Sequence, residues 1–148
     1  MFITRLIYCS ELSGVDKDAI TNILQVSRQK NAKAGITGML LFNGVYFLQC
    51  LEGSRDAVNE TYHRIVHDNR HSRPVLLTCE ELSQRDFTDW DMAYVPWTAE
   101  IRSIVRCFSV DDEFDPYKLG AQSAIGLFRA LRDRLPDNEF WSKPLQTA

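Results

Sequence analysis

Residues 35–53, Gly-Ile-Thr-Gly-Met-Leu-Leu-Phe-Asn-Gly-Val-Tyr-Phe-Leu-Gln-Cys-Leu-Glu-Gly, constrain the fold more than any other stretch of the chain. Two apolar runs, 36–42 and 45–51, flank Asn43-Gly44. Both turn residues tolerate positive φ, and the pair is the strongest short-range signal for a tight β-hairpin. The second run is apolar on both alternating faces, which predicts a central strand covered on both sides. Gln49 breaks that pattern. An amide among Phe47, Leu48 and Leu51 needs partners for two donors and an acceptor, because leaving them unpaired costs about 1–3 kcal/mol. A polar group is therefore expected to meet Gln49 inside the fold.

The β-branched and aromatic run 2–9 predicts a first strand with Tyr8 at its C-terminal end, followed by a loop over 10–14. From Val15 to about Asn31 the residues Ile20, Ile23 and Leu24 recur at helical spacing, and Ser27 and Asn31 continue the same face. Taken alone, those two polar residues read as rim groups satisfying nearby backbone. Gly35 ends the connection into the hairpin. Ser54 is a good N-cap for a second helix, to about His67, that buries Val58, Thr61, Tyr62 and Ile65. Arg64 and Asp68 stand at an i, i+4 spacing, which reads as an ion pair, and 68–71 as a polar loop. Residues 75–79 predict a short strand, 82–88 a connection, and 90–97 a last strand with Trp90, Met92 and Tyr94 on one face and Pro96 at its end.

Beyond this, 98–108 reads as a short helix and Asp115-Pro116 as an N-cap with proline at the first helical position. A further helix carries Ala121, Ile125, Phe128, Leu131 and Leu135 on one face and stops before Pro136. The order strand, helix, hairpin, helix, strand, strand predicts an α+β fold. It is a ferredoxin-like βαββαββ arrangement, a mixed five-stranded sheet with two helices on one face and a C-terminal helical extension. The first and third strands are expected to be parallel neighbours at the sheet centre, with the C-terminal helices on the opposite face or on a partner. Residues 1–97 would form the main domain and 98–148 a helical cap and tail of the same unit.

Composition narrows the function. With 148 residues, 45% of them hydrophobic, the chain can form one real core. Its net charge of −3 and lack of basic blocks argue against nucleic acid or an anionic membrane as partner. The apolar start is too short for a signal peptide and no run is long enough to span a bilayer, so a cytoplasmic location is expected. Cys9, Cys50, Cys79 and Cys107 lack metal-ligand spacing and read as small core residues. His63, His67 and His71 repeat every four residues, but a helix C-terminus and exposure explain them without a metal. Tyr8 and Gln49 can point into one space between the helices that carry Ser27, Asn31, Arg64 and Asp68. Apolar walls with a few convergent polar groups describe a small-molecule site, with no catalytic triad or metal set beside it.

Several runs together resemble the BLUF domains, flavin-based blue-light sensors. They are Arg5-Leu-Ile-Tyr8-Cys-Ser10, Asn31 with Gly35-Ile-Thr-Gly-Met-Leu40, Phe47-Leu-Gln49-Cys-Leu-Glu-Gly53, Tyr62-His-Arg64-Ile65, Asp68-Asn-Arg-His71 and Phe87-Thr-Asp-Trp90-Asp-Met92. Spread over residues 5–92 with concordant spacing, the set is far more specific than any one motif. The remainder is similar to the helical cap of short, single-domain members. The resemblance implies non-covalent FAD between the two helices, with FMN or riboflavin as alternatives. Tyr8 would be the photochemical electron and proton donor, Gln49 the amide that rearranges, and Asn31 the holder of the flavin pyrimidine edge. Trp90 and Met92 match the two positions proposed in the family to exchange near the glutamine and relay the signal. Arg64, Asp68, Arg70 and His71 look like residues of the ribityl or phosphate end, with Ser27 and Lys30 beside the flavin. Lys30 departs from the Asn or His of many members.

The chemistry suits these residue types. A phenol can supply an electron and a proton together, and a primary amide can reverse its hydrogen bonds by rotation or tautomerisation. The leading expectation is a photoreceptor, not an enzyme, that acts through a downstream effector protein. Exposed apolar area, with Phe140 and Trp141 in the tail, suggests a homo-oligomer. A small flavin-dependent oxidoreductase, with Tyr8 as proton donor, and a colourless ferredoxin-like interaction module are the alternatives.

Overall fold

The computed structural model describes residues 2–14, 18–88 and 90–134. Its elements are β1 (Ile3–Leu12), α1 (Ala19–Ala34), β2 (Thr37–Phe42), β3 (Tyr46–Gly53), α2 (Arg55–Val66), β4 (His71–Leu82), β5 (Ala93–Pro96), α3 (Ala99–Arg106), a 3-10 turn (Pro116–Lys118) and α4 (Ala121–Arg134). The strands form one sheet in the order β4-β1-β3-β2-β5. All pairings are antiparallel except β2 with β5, so the sheet is mixed as expected. β1 and β3 are central neighbours but run antiparallel, not parallel. The α1 crossover brings β2 back in the direction of β1, and the hairpin then reverses β3 and inserts it between them.

Side-chain alternation divides the interior into two layers. Leu6 and Tyr8 of β1, Leu40 and Phe42 of β2, and Phe47 and Leu51 of β3 meet Ile23 and Leu24 of α1 and Val58 of α2. The residues in between, Ile7, Cys9, Met39, Leu41, Leu48 and Cys50, meet Ile101 and Ile104 of α3 and Leu127, Phe128 and Leu131 of α4. The C-terminal helices thus cover the sheet face opposite α1 and α2. Leu135, Phe140 and Trp141 lie outside the described residues, as does Val15.

Local signals explain most element ends. Asn43 Oδ1 accepts from the backbone N–H of Val45 and Tyr46, at 3.0 and 2.8 Å, while Gly44 alone of the pair takes a positive φ, of 97°. The turn is closed by an asparagine side chain, not by two left-handed residues. Ser54 accepts from Ala57 N–H at 3.2 Å, and Thr98 from Ile101 N–H at 3.2 Å, as their capping positions require. Asp115 and Pro116 start only the 3-10 turn, and α4 begins separately after Gly120. Helix α1 begins at Ala19 and ends against Gly35, whose φ of 70° is left-handed.

Four further sequence expectations change. The fourth strand extends over His71–Leu82, since pairing with β1 sustains it well beyond the apolar core of 75–79. The last strand shrinks to Ala93–Pro96, so Trp90 and Met92 precede it in irregular backbone. They face opposite layers: Trp90 stacks on Phe87 on the α3/α4 side, whereas Met92 belongs with Tyr8 on the α1/α2 side. Cys9 and Cys50 are core residues, but Cys79 and Cys107 are exposed, and all four are free.

Gly38 joins the hairpin to the segment before β5. Its N–H donates to Trp90 O at 3.0 Å, and a Cβ there would stand 1.9 Å from the Cys50 carbonyl oxygen. The clash is with backbone of the paired strand, which cannot yield as a flexible side chain would. Gly38→Ala is therefore expected to destabilise the fold by roughly 3 kcal/mol, through overpacking at a fixed carbonyl. Denaturant unfolding checks this, and a midpoint equal to wild type would refute the close approach.

Candidate functional site

Cross-strand register places Tyr8 opposite Gln49, and β-alternation aims both into the α1/α2 layer. Tyr8 is fully buried, and its hydroxyl donates to Gln49 Oε1. Gln49 Nε2 donates in turn to Met92 Sδ at 3.3 Å. The polar group demanded by an amide in an apolar strand is thus a phenol, with a thioether on the other side. Burial, followed by the proximity of Tyr62 and Asp68, pushes the Tyr8 phenol well above its usual value, so it is held neutral with its proton on the hydrogen bond.

Above this pair, α1 and α2 diverge around a cavity of about 320 Å³. Its walls include Tyr8 and Gln49 from the sheet, Ser27, Lys30 and Asn31 from α1, Arg64 from α2, and Asp68, Arg70 and His71 from the following loop and strand. All nine residues singled out for cofactor binding from sequence are therefore brought together. Ile23, Val26, Leu40, Thr61, Ile65 and His67 also line it. The sequence reading placed Ile23, Thr61 and Ile65 only on core faces. A helical face whose buried residues continue into Ser27 and Asn31 was the available signal that some of this face looks into a cavity.

Asn31 Nδ2 donates to Asp91 O at 3.0 Å, but Asn31 Oδ1 is buried without a partner among the described residues. An orphaned amide oxygen on a cavity wall is a position for a donor from a bound molecule. Together with apolar walls from Ile23, Leu40 and Ile65 and a polar end at Arg64 and Arg70, this fits a planar heteroaromatic cofactor with a polar tail. The rim is rearranged from expectation. Asp68 pairs with Arg70 at 2.6 Å, while Arg64 donates to Thr61 Oγ1 at 3.2 Å. Arg70 is nearer because the chain turns back after α2, and its guanidinium also reaches Asn22 of α1 at 2.8 Å. That pairing is the main cause that lowers the Asp68 carboxyl.

His71 departs from the helix-end reading of the three histidines. It opens β4, is buried, and its Nδ1 lies 2.7 Å from Ser10 Oγ. Exposed His67 instead approaches the His63 carbonyl, and no metal-holding group of His, Cys, Asp or Glu occurs among the described residues. Trp90, grouped with Met92 from sequence, lies across the sheet and does not line the cavity.

Comparison with known proteins agrees with this architecture. The family model described as sensors of blue light using FAD matches residues 3–93. The blue light- and temperature-regulated antirepressor of Escherichia coli K12 is 35% identical over 86 residues, which are 57% of this chain and 21% of the relative. A photoactivated adenylate cyclase beta subunit of Euglena longa is 25% identical over 91 residues, 60% of this chain and 11% of the relative. The chain therefore spans about a fifth or less of these curated relatives. Among solved structures, the photo-activated state of BlsA aligns with TM-score 0.79 and 27% identity, covering 87% of this chain and 94% of that one. The dark-state structure of BlrB aligns with TM-score 0.74 and 31% identity, covering 87% and 93%.

The buried histidine generates a pH prediction. Burial pulls the His71 imidazole from 6.5 down to about 4, against the opposing effect of Asp68. The unfolded chain takes up this proton below about pH 6.5 and the folded chain only below about 4, so stability present at neutral pH is lost as pH falls through that window. The loss amounts to about 3 kcal/mol when complete. The Asp68 contribution disappears at lower pH, below the ordinary carboxyl value of 3.8. Unfolding free energies measured from pH 8 to pH 4 are expected to fall less steeply in His71→Gln. Parallel curves for the two proteins would contradict it.

Proposed function

The chain belongs to the BLUF family, sensors of blue light using FAD, and on that premise we propose that Tyr8, Gln49 and Met92 are its photochemical switch. The observation that carries the proposal is the buried hydrogen-bond chain from Tyr8 O–H to Gln49 Oε1 and from Gln49 Nε2 to Met92 Sδ. When bound, FAD supplies blue-light absorption and an electron acceptor. Asn31, with its free Oδ1, would hold the ring edge, and Ser27 and Lys30 would lie beside it. Arg64, Asp68, Arg70 and His71 would take the ribityl and phosphate end.

The polarity of the chain gives the switch its direction. A thioether sulfur only accepts, so it suits the NH₂ side of Gln49 and not the carbonyl side. Rotation of the amide withdraws the donor from Met92, whereas tautomerisation leaves a single N–H on Nε2; either change makes Gln49 a donor toward Tyr8 and requires the Tyr8 hydroxyl to accept. Few atoms need to move. Weakening that contact removes one restraint on the 90–92 segment, which leads directly into β5 and then α3. Trp90, on the far side of the sheet against Phe87, is suited to carry that displacement toward α4. This reading is preferred to a flavin oxidoreductase because Tyr8, the proton donor such an enzyme would use, is fully buried and committed to Gln49.

The output is a protein contact. The antirepressor and cyclase relatives tie light to a regulatory or enzymatic output, which supports an effector for this chain. Val75 and Leu76 are exposed on edge strand β4, which supports self-association. Among the described residues no helix is long and apolar enough to cross a membrane. A cytoplasmic location accords with the reading. Light-scattering mass is expected to exceed the monomer in at least one of the dark and illuminated states. A strict monomer in both would remove self-association from the proposal.

The purified protein is expected to be yellow, to release free flavin on heating, and to shift its absorption reversibly to the red under blue light. Gln49→Leu conserves volume and removes every hydrogen bond, and Tyr8→Phe removes only the hydroxyl. Both are expected to remain yellow and to lose the reversible shift. Spectra in darkness, after illumination and after return to darkness test this. A retained shift in Gln49→Leu would reduce the amide to a structural role, and a protein that fails to take up added FAD would end the photoreceptor reading.

A further inference from the structure

Three consecutive residues before β5 are each held by a separate hydrogen bond, one from β2 and two from α1. Trp90 O accepts from Gly38 N–H at 3.0 Å, Asp91 O from Asn31 Nδ2 at 3.0 Å, and Met92 O from Arg28 Nε at 2.9 Å. Arg28 is the unexpected member. It is buried, at 6% exposure, and among the described residues its recorded hydrogen bond goes to a backbone carbonyl and not to a carboxylate. Burial lowers the guanidinium's pKa, with Asp91 supplying an opposing charge. An arginine kept inside at that cost, one turn before Asn31 on α1, needs a reason.

We propose that Arg28 is a positioning residue of the light switch, pinning the Met92 backbone to α1 so that the Met92 thioether stays within reach of Gln49 Nε2. The inference rests on the photoswitch reading and adds a second restraint to it. Met92 is then fixed at two points, the sulfur by the sheet and the carbonyl by α1. Breaking the Gln49 contact alone does not release the segment; the Arg28 contact has to yield as well. Asn31 joins the same restraint to the cavity wall, because its Nδ2 holds Asp91 while the residue lines the cavity and its Oδ1 is left without a partner. An occupant that orders the Asn31 amide therefore also steadies the 90–92 segment. Arg28 itself does not line the cavity, so its loss should act on the segment before it acts on cofactor affinity.

Two substitutions isolate the hydrogen bond. Gln carries an N–H donor the same number of bonds from the backbone as Arg Nε, and Met fills a similar length with no donor. Arg28→Gln and Arg28→Met therefore differ chiefly in the contact under test. The chain has three methionines and Arg28→Met adds a fourth, so ¹³C-methyl labelling gives spectra in which Met92 is assigned by its own substitution in each background. In darkness, with FAD added and without it, wild type and Arg28→Gln are expected to share one Met92 methyl position. Arg28→Met is expected to show Met92 displaced or doubled, the detached population rising on the order of tenfold for loss of a hydrogen bond from a charged donor. The Met39 methyl should stay in place, and FAD affinity should change less than about twofold. A Met92 signal in Arg28→Met that matches Arg28→Gln overturns the proposal. If Arg28→Met does not fold, a displaced Met92 signal in Arg28→Gln overturns it equally. Because the spectra are taken in the dark and also without cofactor, a wild-type protein lacking any light response would defeat the photoswitch reading without deciding this one.

Discussion

A primary amide in a central, buried strand of the sheet is the constraint on which the rest of the site depends. Gln49 is 3% exposed and stands between Leu48 and Cys50, whose side chains enter the opposite layer. Its oxygen is met by a phenol from the neighbouring strand and its nitrogen by a thioether from the segment before β5. The first partner is fixed by β1–β3 register and the second by whatever holds residues 90–92. Satisfying one amide thus commits two separate parts of the fold to fixed positions, since a half-satisfied polar network in a low-dielectric core is costly.

At the other end of the same two strands, a second buried polar group holds the approach to that segment. Glu52 is fully buried and accepts from the backbone N–H of Asp86 and Phe87, both at 2.9 Å. Arg5, itself 3% exposed, faces Glu52 and pairs with Asp86 and Glu80. Asp86 also receives Arg129 and Arg132 from α4, at 3.2 and 3.1 Å. Burial raises the Glu52 carboxyl, while the two backbone donors oppose that rise. The loop before Trp90 is therefore tied both to the sheet and to the C-terminal cap. The residues before Met92 thus meet α4 through ionic as well as apolar contacts.

Much of the cavity was legible because its polar residues violate the patterns around them. Ser27 and Asn31 occupy a helical face begun by Ile20, Ile23 and Leu24, and Gln49 interrupts a strand, so each marks itself without knowledge of its neighbours. Arg28 and His71 carry no such mark. Nothing in the sequence singles out Arg28, and His71 reads from the residues alone as an exposed member of a polar loop; only packing shows that each is buried. The ion pair assigned to Arg64 failed for a related reason. Helical spacing allowed Asp68 to reach it, but the turn after α2 brings Arg70 closer, and proximity in space decides among cations of equal charge.

The sequence by itself determined the elements whose causes are local. The hairpin at Asn43-Gly44, the caps at Ser54 and Thr98, and the two-faced apolar alternation that makes β3 central all depend on residues a few positions apart. The tertiary structure decided what depends on distant segments. It set the antiparallel relation of β1 to β3, the length of β4 and the shortness of β5, and it sent Trp90 and Met92 to opposite faces of the sheet. Spacing cannot separate those two side chains, because period-two alternation holds only within a strand. Residues 90–92 take their direction instead from Gly38, Asn31 and Arg28, which hold the three carbonyls from elsewhere in the chain.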